Sequence, residues 1–380
     1  MNQMFKKSPQ TETISDERIV KVVRGLLDAI ICDSSTKVLV VSARGGGSNN
    51  GLRIGRILLS EIVKKGGQGQ IVMHKPRSWE VARDEKISRL LLEDFNLLFV
   101  TDMDSLGHDG IGRQKVYVLD DGRKFNEIIY YRRAKKEIRG FCFMVNNLER
   151  FIESVDVNYN DLGEISVKFF NEFRKIRKLK IISGDESELE IATRSDYLPM
   201  ADFNFEQDKL GSGCNVPFGE VLISPDNNFG EGSIVVDGSF YGDDTVTISE
   251  PIKIHFKGGR AVKIEGGREA KILDEYLEKE ERRTRETIVL NSELDGEYLE
   301  NIRRIGEFAV GLNPKAIFCD DLLIDEKVSG SAHIALGRNY HGDLAFVHVD
   351  LVVKKPKVVF VYKNGFEKVV LEDGNILLQK

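Results

Sequence analysis

His348 and Asp350 stand two residues apart in the apolar run Phe346-Val347-His348-Val349-Asp350-Leu351-Val352-Val353. In a strand, residues i and i+2 point to the same face. An imidazole and a carboxylate therefore project together, while Val347, Val349 and Leu351 share the other face. A strand this apolar belongs in an interior, where such a pair is half of a metal site. The bland reading is a His–Asp hydrogen bond on an edge strand.

Two glutamates repeat one pattern. Glu220 in Asn215-Val216-Pro217-Phe218-Gly219-Glu220-Val221 and Glu307 in Arg304-Ile305-Gly306-Glu307-Phe308-Ala309 each follow a glycine and precede an apolar run. Either one alone is an ordinary exposed residue. A carboxylate at the mouth of a buried strand is costly unless it is paired or binds a cation, and two in one half of the chain carry more weight than one. His333 lies in Asp325-Glu326-Lys327-Val328-Ser329-Gly330-Ser331-Ala332-His333-Ile334-Ala335-Leu336-Gly337. This segment reads as a helix with Asp325 as N-cap and Gly337 at C′. A lone histidine there is more often a core residue than a ligand. As a set, however, Glu, Asp and His without cysteine suit zinc, cobalt or manganese in a catalytic site, since structural zinc sites favour thiolates. Carboxylates can also bridge two cations about 3.5–4 Å apart.

The elements around these residues divide the chain. With 380 residues it is long for a single core and suits two domains. In the first half, strands at Lys37–Ala43, Gln70–His74 and Leu97–Thr101 alternate with helical spacing over 51–65 and 80–94. That order predicts a mostly parallel sheet with crossover helices. Further strands are expected at 141–145 and 178–183, with a helix over 162–177. Near residue 200 glycines become frequent and strands short. Segments 233–236, 245–249, 251–256, 261–264, 344–353 and 358–362 read as a largely antiparallel α+β domain with a charged helix over 271–285. The expected division is a polar tail 1–17, an α/β domain 18–205 and a C-terminal metal-binding, catalytic domain 206–380.

Composition excludes several roles. Hydrophobic residues at 41%, charged residues at 31% and a net charge of -6 describe a globular chain without a long basic stripe. No nucleic-acid partner is expected, and the cluster Arg132, Arg133, Lys135 and Lys136 reads as a solvated helix face. Cys32, Cys142, Cys214 and Cys319 form no CxxC pair and read as reduced thiols. No apolar run nears the roughly 20 residues needed to span a bilayer, and no signal-like segment opens the chain. A cytoplasmic protein without a membrane partner is expected. The loop Gly45-Gly46-Gly47-Ser48-Asn49-Asn50-Gly51 follows a strand and opens a helix. It fits neither GxGxxG nor GxxxxGK[ST], so it reads as a plain βα turn.

Taken in order, NVPFGEV, RIGEF, DEK…AHIALG…Y and HVD resemble the thermophilic metalloaminopeptidases of the aminopeptidase T (leucyl aminopeptidase) family, over roughly residues 211–360. That family's metal-site order is Glu, Glu, His, Tyr, His, Asp. The matching positions here are Glu220, Glu307, His333, Tyr340, His348 and Asp350. The charged segment 277–286 lengthens the stretch between the two glutamates, and Phe218 replaces an expected polar residue. The resemblance implies a homodimer that removes N-terminal residues from peptides with two divalent metal ions: zinc, cobalt or manganese. Glu220 or Glu307 would be the base for the attacking water, with Tyr340 as a metal ligand or oxyanion donor; His341 would lie outside the ligand set. Two alternatives stay open. His333, His348 and Asp350 alone satisfy a 2-His-1-carboxylate triad for Fe(II), as in a ring-cleaving dihydroxypyridine dioxygenase of similar fold. A non-catalytic relative of the fold is the other.

Overall fold

A computed structural model describes residues 14–43, 49–74, 85–101, 117–125, 128–143, 145–184, 187–291 and 294–378. The first module is a five-stranded, all-parallel sheet. Its strand order is Gly213–Val216, Arg139–Phe143, Leu97–Thr101, Lys37–Ala43, Gln68–His74. The central strands are buried on both faces, so they read as unbroken β-branched and aromatic runs. Helix Asn50–Lys64 makes the crossover between the two strands at the Gln68–His74 edge, burying Leu52, Ile54, Leu58 and Ile62 at helical spacing. The edge strand Gly213–Val216 arrives from beyond residue 205 and pairs in register with Gly140–Phe143.

The rest of the chain builds two antiparallel sheets. An eight-stranded sheet runs in the order Arg260–Glu265, Ile252–Lys257, Pro225–Val236, Ser187–Thr193, Ile176–Ser183, Lys357–Tyr362, Glu367–Glu372, Asn375–Ile376. A seven-stranded sheet runs Thr245–Thr247, Ser239–Tyr241, His348–Val353, Ala332–Gly337, Ile305–Gly311, Glu220–Ile223, Met200–Ala201. The two share an apolar core. The Phe173 ring, at the end of helix Tyr159–Phe173, lies 4.9 Å from Phe360 of the larger sheet and 6.0 Å from Phe308 of the smaller. The expected class, a parallel α/β part followed by a largely antiparallel α+β part, is the one observed. No helix among the described residues is long and apolar enough to cross a membrane.

Two expectations are corrected. Residues 325–337 are not a helix: a short helix Leu322–Asp325 gives way to a turn, and Ala332–Gly337 is a strand. Every residue of that strand is buried, so no alternation marks it as β. Small residues and an apparent N-cap imitate a helix instead. The basic run near 132 is not a uniformly solvated face either. Arg132 turns inward and donates to the Leu91 carbonyl at 2.6 Å, and Arg133 donates to the carbonyls of Gly211 and Gly213. The helix expected over 80–94 is described at Glu85–Leu90; residues 75–84 and most of the glycine loop, 44–48, lie outside the described residues. All four cysteines are free thiols.

Candidate metal centre

Four adjacent strands of the seven-stranded sheet present the candidate residues on one face. Alternation does the placing. Glu307, Ala309 and Gly311 share a face on one strand; His333, Ala335 and Gly337 share it on the next. The register pairs Ala335 with both Glu307 and Asp350, Gly337 with His348, and Glu220 with Gly311. Each ionisable side chain thus has an alanine or glycine beside it on at least one neighbouring strand, with Val352 on the other side of His333, which leaves room for polar groups. The opposite face carries Phe308, Val310, Ile334, Leu336, Val349 and Leu351, each essentially buried.

The glycines before the two glutamates have a steric reason. Gly219 has φ +145°, and a Cβ there would come within 2.4 Å of the Asn313 Cβ. A Cβ on Gly306 would lie 2.5 Å from the Gly337 carbonyl oxygen. Both sites need a close backbone approach that only glycine permits.

The structure brings Glu220, Glu307, His333, His348 and Asp350 into one cluster. The His333 Nε2 lies 3.1 Å from Glu307 Oε1, 3.6 Å from Glu220 Oε2 and 3.8 Å from Asp350 Oδ1. The His348 Nε2 lies 3.3 Å from Asp350 Oδ1 and 3.7 Å from Glu307 Oε2. His348 Nδ1 donates to the Arg338 carbonyl at 3.0 Å, which turns Nε2 toward the carboxylates, as in histidines that bind metal. The ring of Tyr340 packs edge-on to His348 with centroids 5.7 Å apart. His341 faces elsewhere: it stacks on Tyr197 at 4.3 Å, and its Nδ1 lies 2.9 Å from the Ser224 hydroxyl oxygen.

Among the described residues, donor atoms lie close enough to hold a cation in three groupings: Glu220–Glu307–His333, Glu307–His348–Asp350 and Glu326–His333–Asp350. The first two share Glu307. The donors are also unspent. Glu220 Oε2, Glu307 Oε2, His333 Nδ1 and Asp350 Oδ1 are buried without a hydrogen-bond partner. Orphaned buried acceptors are costly, and a divalent cation among them would satisfy the three carboxylate oxygens.

The electrostatics describe an acidic, desolvated cluster. Burial works against a charged His333, yet the hydrogen bond it donates to Glu307 and the charges of Asp350 and Glu220 carry its pKa up to about 9. His348 also reaches about 9, against burial, through Asp350 and Glu307. Burial pushes the Asp350 carboxyl up, but the adjacent His348 outweighs it and holds the group far below the usual carboxylate range.

Three residues escaped the sequence reading. Lys327 is fully buried, with its ammonium 2.5 Å from Glu220 and 2.8 Å from Glu326. Burial lowers its pKa, and the three surrounding acids (Glu220, Glu326 and Asp202) more than reverse this. Burial lifts Glu326 to about 8. Asp202 accepts the backbone N–H groups of Gly219 and Glu220 at 2.6 and 3.0 Å, fixing the start of the Glu220 strand. A Glu-Lys dipeptide in sequence is the mark of a surface, so nothing local announced them. Phe218, which stands where a polar residue was expected, is core, stacked on Phe203 at 5.4 Å.

Solved structures share this fold, and two of them match over nearly the whole chain. One is 2,5-dihydroxypyridine dioxygenase from Pseudomonas putida KT2440, with TM-score 0.71 and 14% identity over 97% of this chain and 99% of that one. The other is wild-type AmpT from Thermus thermophilus, with TM-score 0.63 and 15% identity over 95% of this chain and 99% of that one. No family model matches the chain. No curated protein matches it either. At these identities the likeness is one of fold.

Proposed function

We propose that the protein is a metal-dependent aminopeptidase that hydrolyses the N-terminal bond of peptides at a two-metal site. The observation that carries this reading is the sharing of Glu307 between two donor groups, one with Glu220 and His333 and one with His348 and Asp350. A carboxylate common to two cation positions is the design of hydrolases that activate a bridging water. The fold likeness to AmpT supports the same reading.

In it, Glu220, Glu307, His333, His348 and Asp350, with Tyr340 beside them, hold the ions. Bound zinc, cobalt or manganese supplies an acidified water and a polarised carbonyl. The protein's own part is positional. Glu307 or Glu220 would accept the proton of the attacking water, and Tyr340 would either ligate a metal or donate to the oxyanion. The cleft beside Tyr340 admits the peptide end. A homodimer in the cytoplasm accompanies this reading, the assembly being checked by light scattering. The deciding experiment is metal content together with turnover of aminoacyl reporters; two ions per chain and chelator-sensitive hydrolysis are expected. Hydrolysis at full rate by verified metal-free protein would refute it.

One observation favours a second reading. Asp350 Oδ1 lies within 3.8 Å of both imidazole Nε2 atoms, as a 2-His-1-carboxylate Fe(II) site requires. The fold likeness to the dioxygenase goes with it. One iron per chain, with oxygen uptake on a dihydroxypyridine and no peptide cleavage, would favour this reading over the first.

A further inference from the structure

A cavity of about 60 Å³ lies where the parallel sheet meets the edge of the seven-stranded sheet. One wall is a face of the parallel sheet. Leu98, Gly140 and Gly213 pair across three adjacent strands, and alternation puts Cys142 on the same face. Ile129 of helix Ile128–Ala134, with Met200 and Leu222 of the seven-stranded sheet, adds further apolar wall. Glu220 and Tyr340 line the same cavity, so it adjoins the candidate metal centre. Asp202 lies on its wall as well, and so does Arg133, whose hydrogen bonds go to the carbonyls of Gly211 and Gly213.

Gly140 is out of place in the buried strand Arg139–Phe143, where a β-branched or aromatic residue fits best. Its φ is not positive. A Cβ there would meet Arg133 Cδ at 3.5 Å and Ile129 Cγ2 at 3.6 Å, ordinary van der Waals distances. Neither the backbone nor the packing demands glycine at this position, in contrast to Gly219 and Gly306. What the missing side chain provides is the space itself, and a glycine inside a strand often marks the close approach of a ligand. The size of that space limits its occupant. Room for one water measures roughly 10–15 Å³ on the same scale. The four heavy atoms of a leucine side chain fill the cavity, and the seven of phenylalanine exceed it.

We infer that this cavity receives the side chain of the substrate's N-terminal residue and selects an aliphatic group of up to about four carbons. This rests on the peptidase reading above, in which the scissile bond lies at the metal centre that Glu220 and Tyr340 share with the cavity. Specificity is then set largely by the parallel-sheet module, which holds none of the six candidate ligands. Leu98, Ile129, Gly140 and Cys142 do the selecting, while the antiparallel part does the chemistry.

The test measures calorimetric binding of glycinamide, alaninamide, leucinamide and phenylalaninamide to the zinc-loaded full chain, alongside turnover of the corresponding anilides. In the wild type, affinity should rise about fourfold for each added aliphatic carbon and fall at phenylalaninamide. Gly140→Ala puts a methyl group into the cavity at a position that accepts it. It should weaken leucinamide about tenfold or more and leave glycinamide unchanged. Met200→Ala, at a half-buried position, should narrow the gap between leucinamide and phenylalaninamide; circular dichroism checks that both variants are folded. Equal affinity for glycinamide and leucinamide in the wild type would overturn the pocket, and so would a size profile that neither variant alters. Tighter binding of lysinamide than of leucinamide would overturn the aliphatic assignment, since a charged wall residue such as Asp202 would then hold the side chain. Absence of hydrolysis refutes the peptidase reading alone: the binding series still decides the pocket.

Discussion

The Lys327 ammonium lies 2.5 Å from Oε1 of Glu220, and no part of the lysine side chain reaches solvent. The same ammonium is 2.8 Å from Glu326 and 3.9 Å from Asp202. One cation therefore offsets three buried acids beside the candidate metal centre. In the absence of metal it shares the balancing of these acids with His333, whose Nε2 lies 3.6 Å from Glu220 Oε2 and whose pKa is raised to about 9.

Lys327→Met should accordingly destabilise the protein by about 3–5 kcal/mol, the usual cost of stripping one partner from a buried ionic group. Added zinc should restore part of the loss, because a cation binding the native state stabilises it by mass action. Adding Glu326→Gln to the variant should restore part of it too. Denaturant melts of the three proteins with and without metal check this. A Lys327→Met protein as stable as wild type in chelator would show that the ammonium is not needed there.

Glu307→Gln keeps the side-chain volume but removes the charge common to both donor groups. In a two-metal hydrolase it should weaken or remove one ion and slow turnover by on the order of a hundredfold or more. In a single-iron site built from His333, His348 and Asp350, iron content should persist and ring cleavage should change little. His348→Ala should abolish either activity. Metal analysis alongside both assays separates the readings, and wild-type metal content with wild-type peptide turnover in Glu307→Gln would count against the hydrolase.

Metal removal gives the broadest check. Dialysis against chelator should abolish cleavage of aminoacyl reporters, and zinc, cobalt or manganese should each restore some of it. The metal-free protein should also melt earlier, because Glu307 Oε2, Asp350 Oδ1 and Glu220 Oε2 then stay buried without partners. Identical melting curves before and after chelation would argue that no ion occupies the cluster.

What could be read in advance follows from which residues carry a local signal. His348 and Asp350 were placed together by strand alternation alone, and they lie 3.3 Å apart. The Gly-Glu repeat was visible, although its cause, backbone approach at Asn313 and Gly337, needs the fold. From the sequence, His333 reads as helical, whereas it stands on a strand. The central strand Ala332–Gly337 is buried on both faces and loses the period-2 pattern that would mark it. Lys327, Glu326 and Asp202 had no signal: a charged residue reads as exposed until its partners, distant in sequence, are known.

The small residues between the ionic groups make a further prediction. Ala335 pairs with Glu307 on one side and Asp350 on the other. Ala335→Val adds two methyl groups on that face. It should cost about 1–3 kcal/mol as an overpacked core position, while metal affinity falls more sharply than stability because the two carboxylates are held apart. Calorimetric zinc binding on protein shown to be folded measures the second effect; unchanged affinity would mean that the ions, if bound, lie away from this row.

A buried carboxylate away from the cluster gives a pH-dependent prediction with a definite sign. Asp321 is almost fully buried, and burial, reinforced by the charge of Asp325, raises its pKa to about 6 against contributions from Asn146 and the Leu323 backbone. A carboxyl group whose pKa is raised on folding holds its proton more tightly in the native state. Its contribution to stability is therefore greatest at low pH and is lost as pH rises from about 4 to about 6. Asp321→Asn cannot ionise and should not show this loss. The stability of the variant relative to wild type should rise between pH 5 and pH 7 by on the order of 1 kcal/mol. Comparing the two proteins at each pH cancels the titration of the histidines and carboxylates they share. Urea melts in chelator at the two pH values provide the measurement, and a difference that stays constant or reverses sign would show that Asp321 ionises as freely in the folded protein as in the unfolded chain.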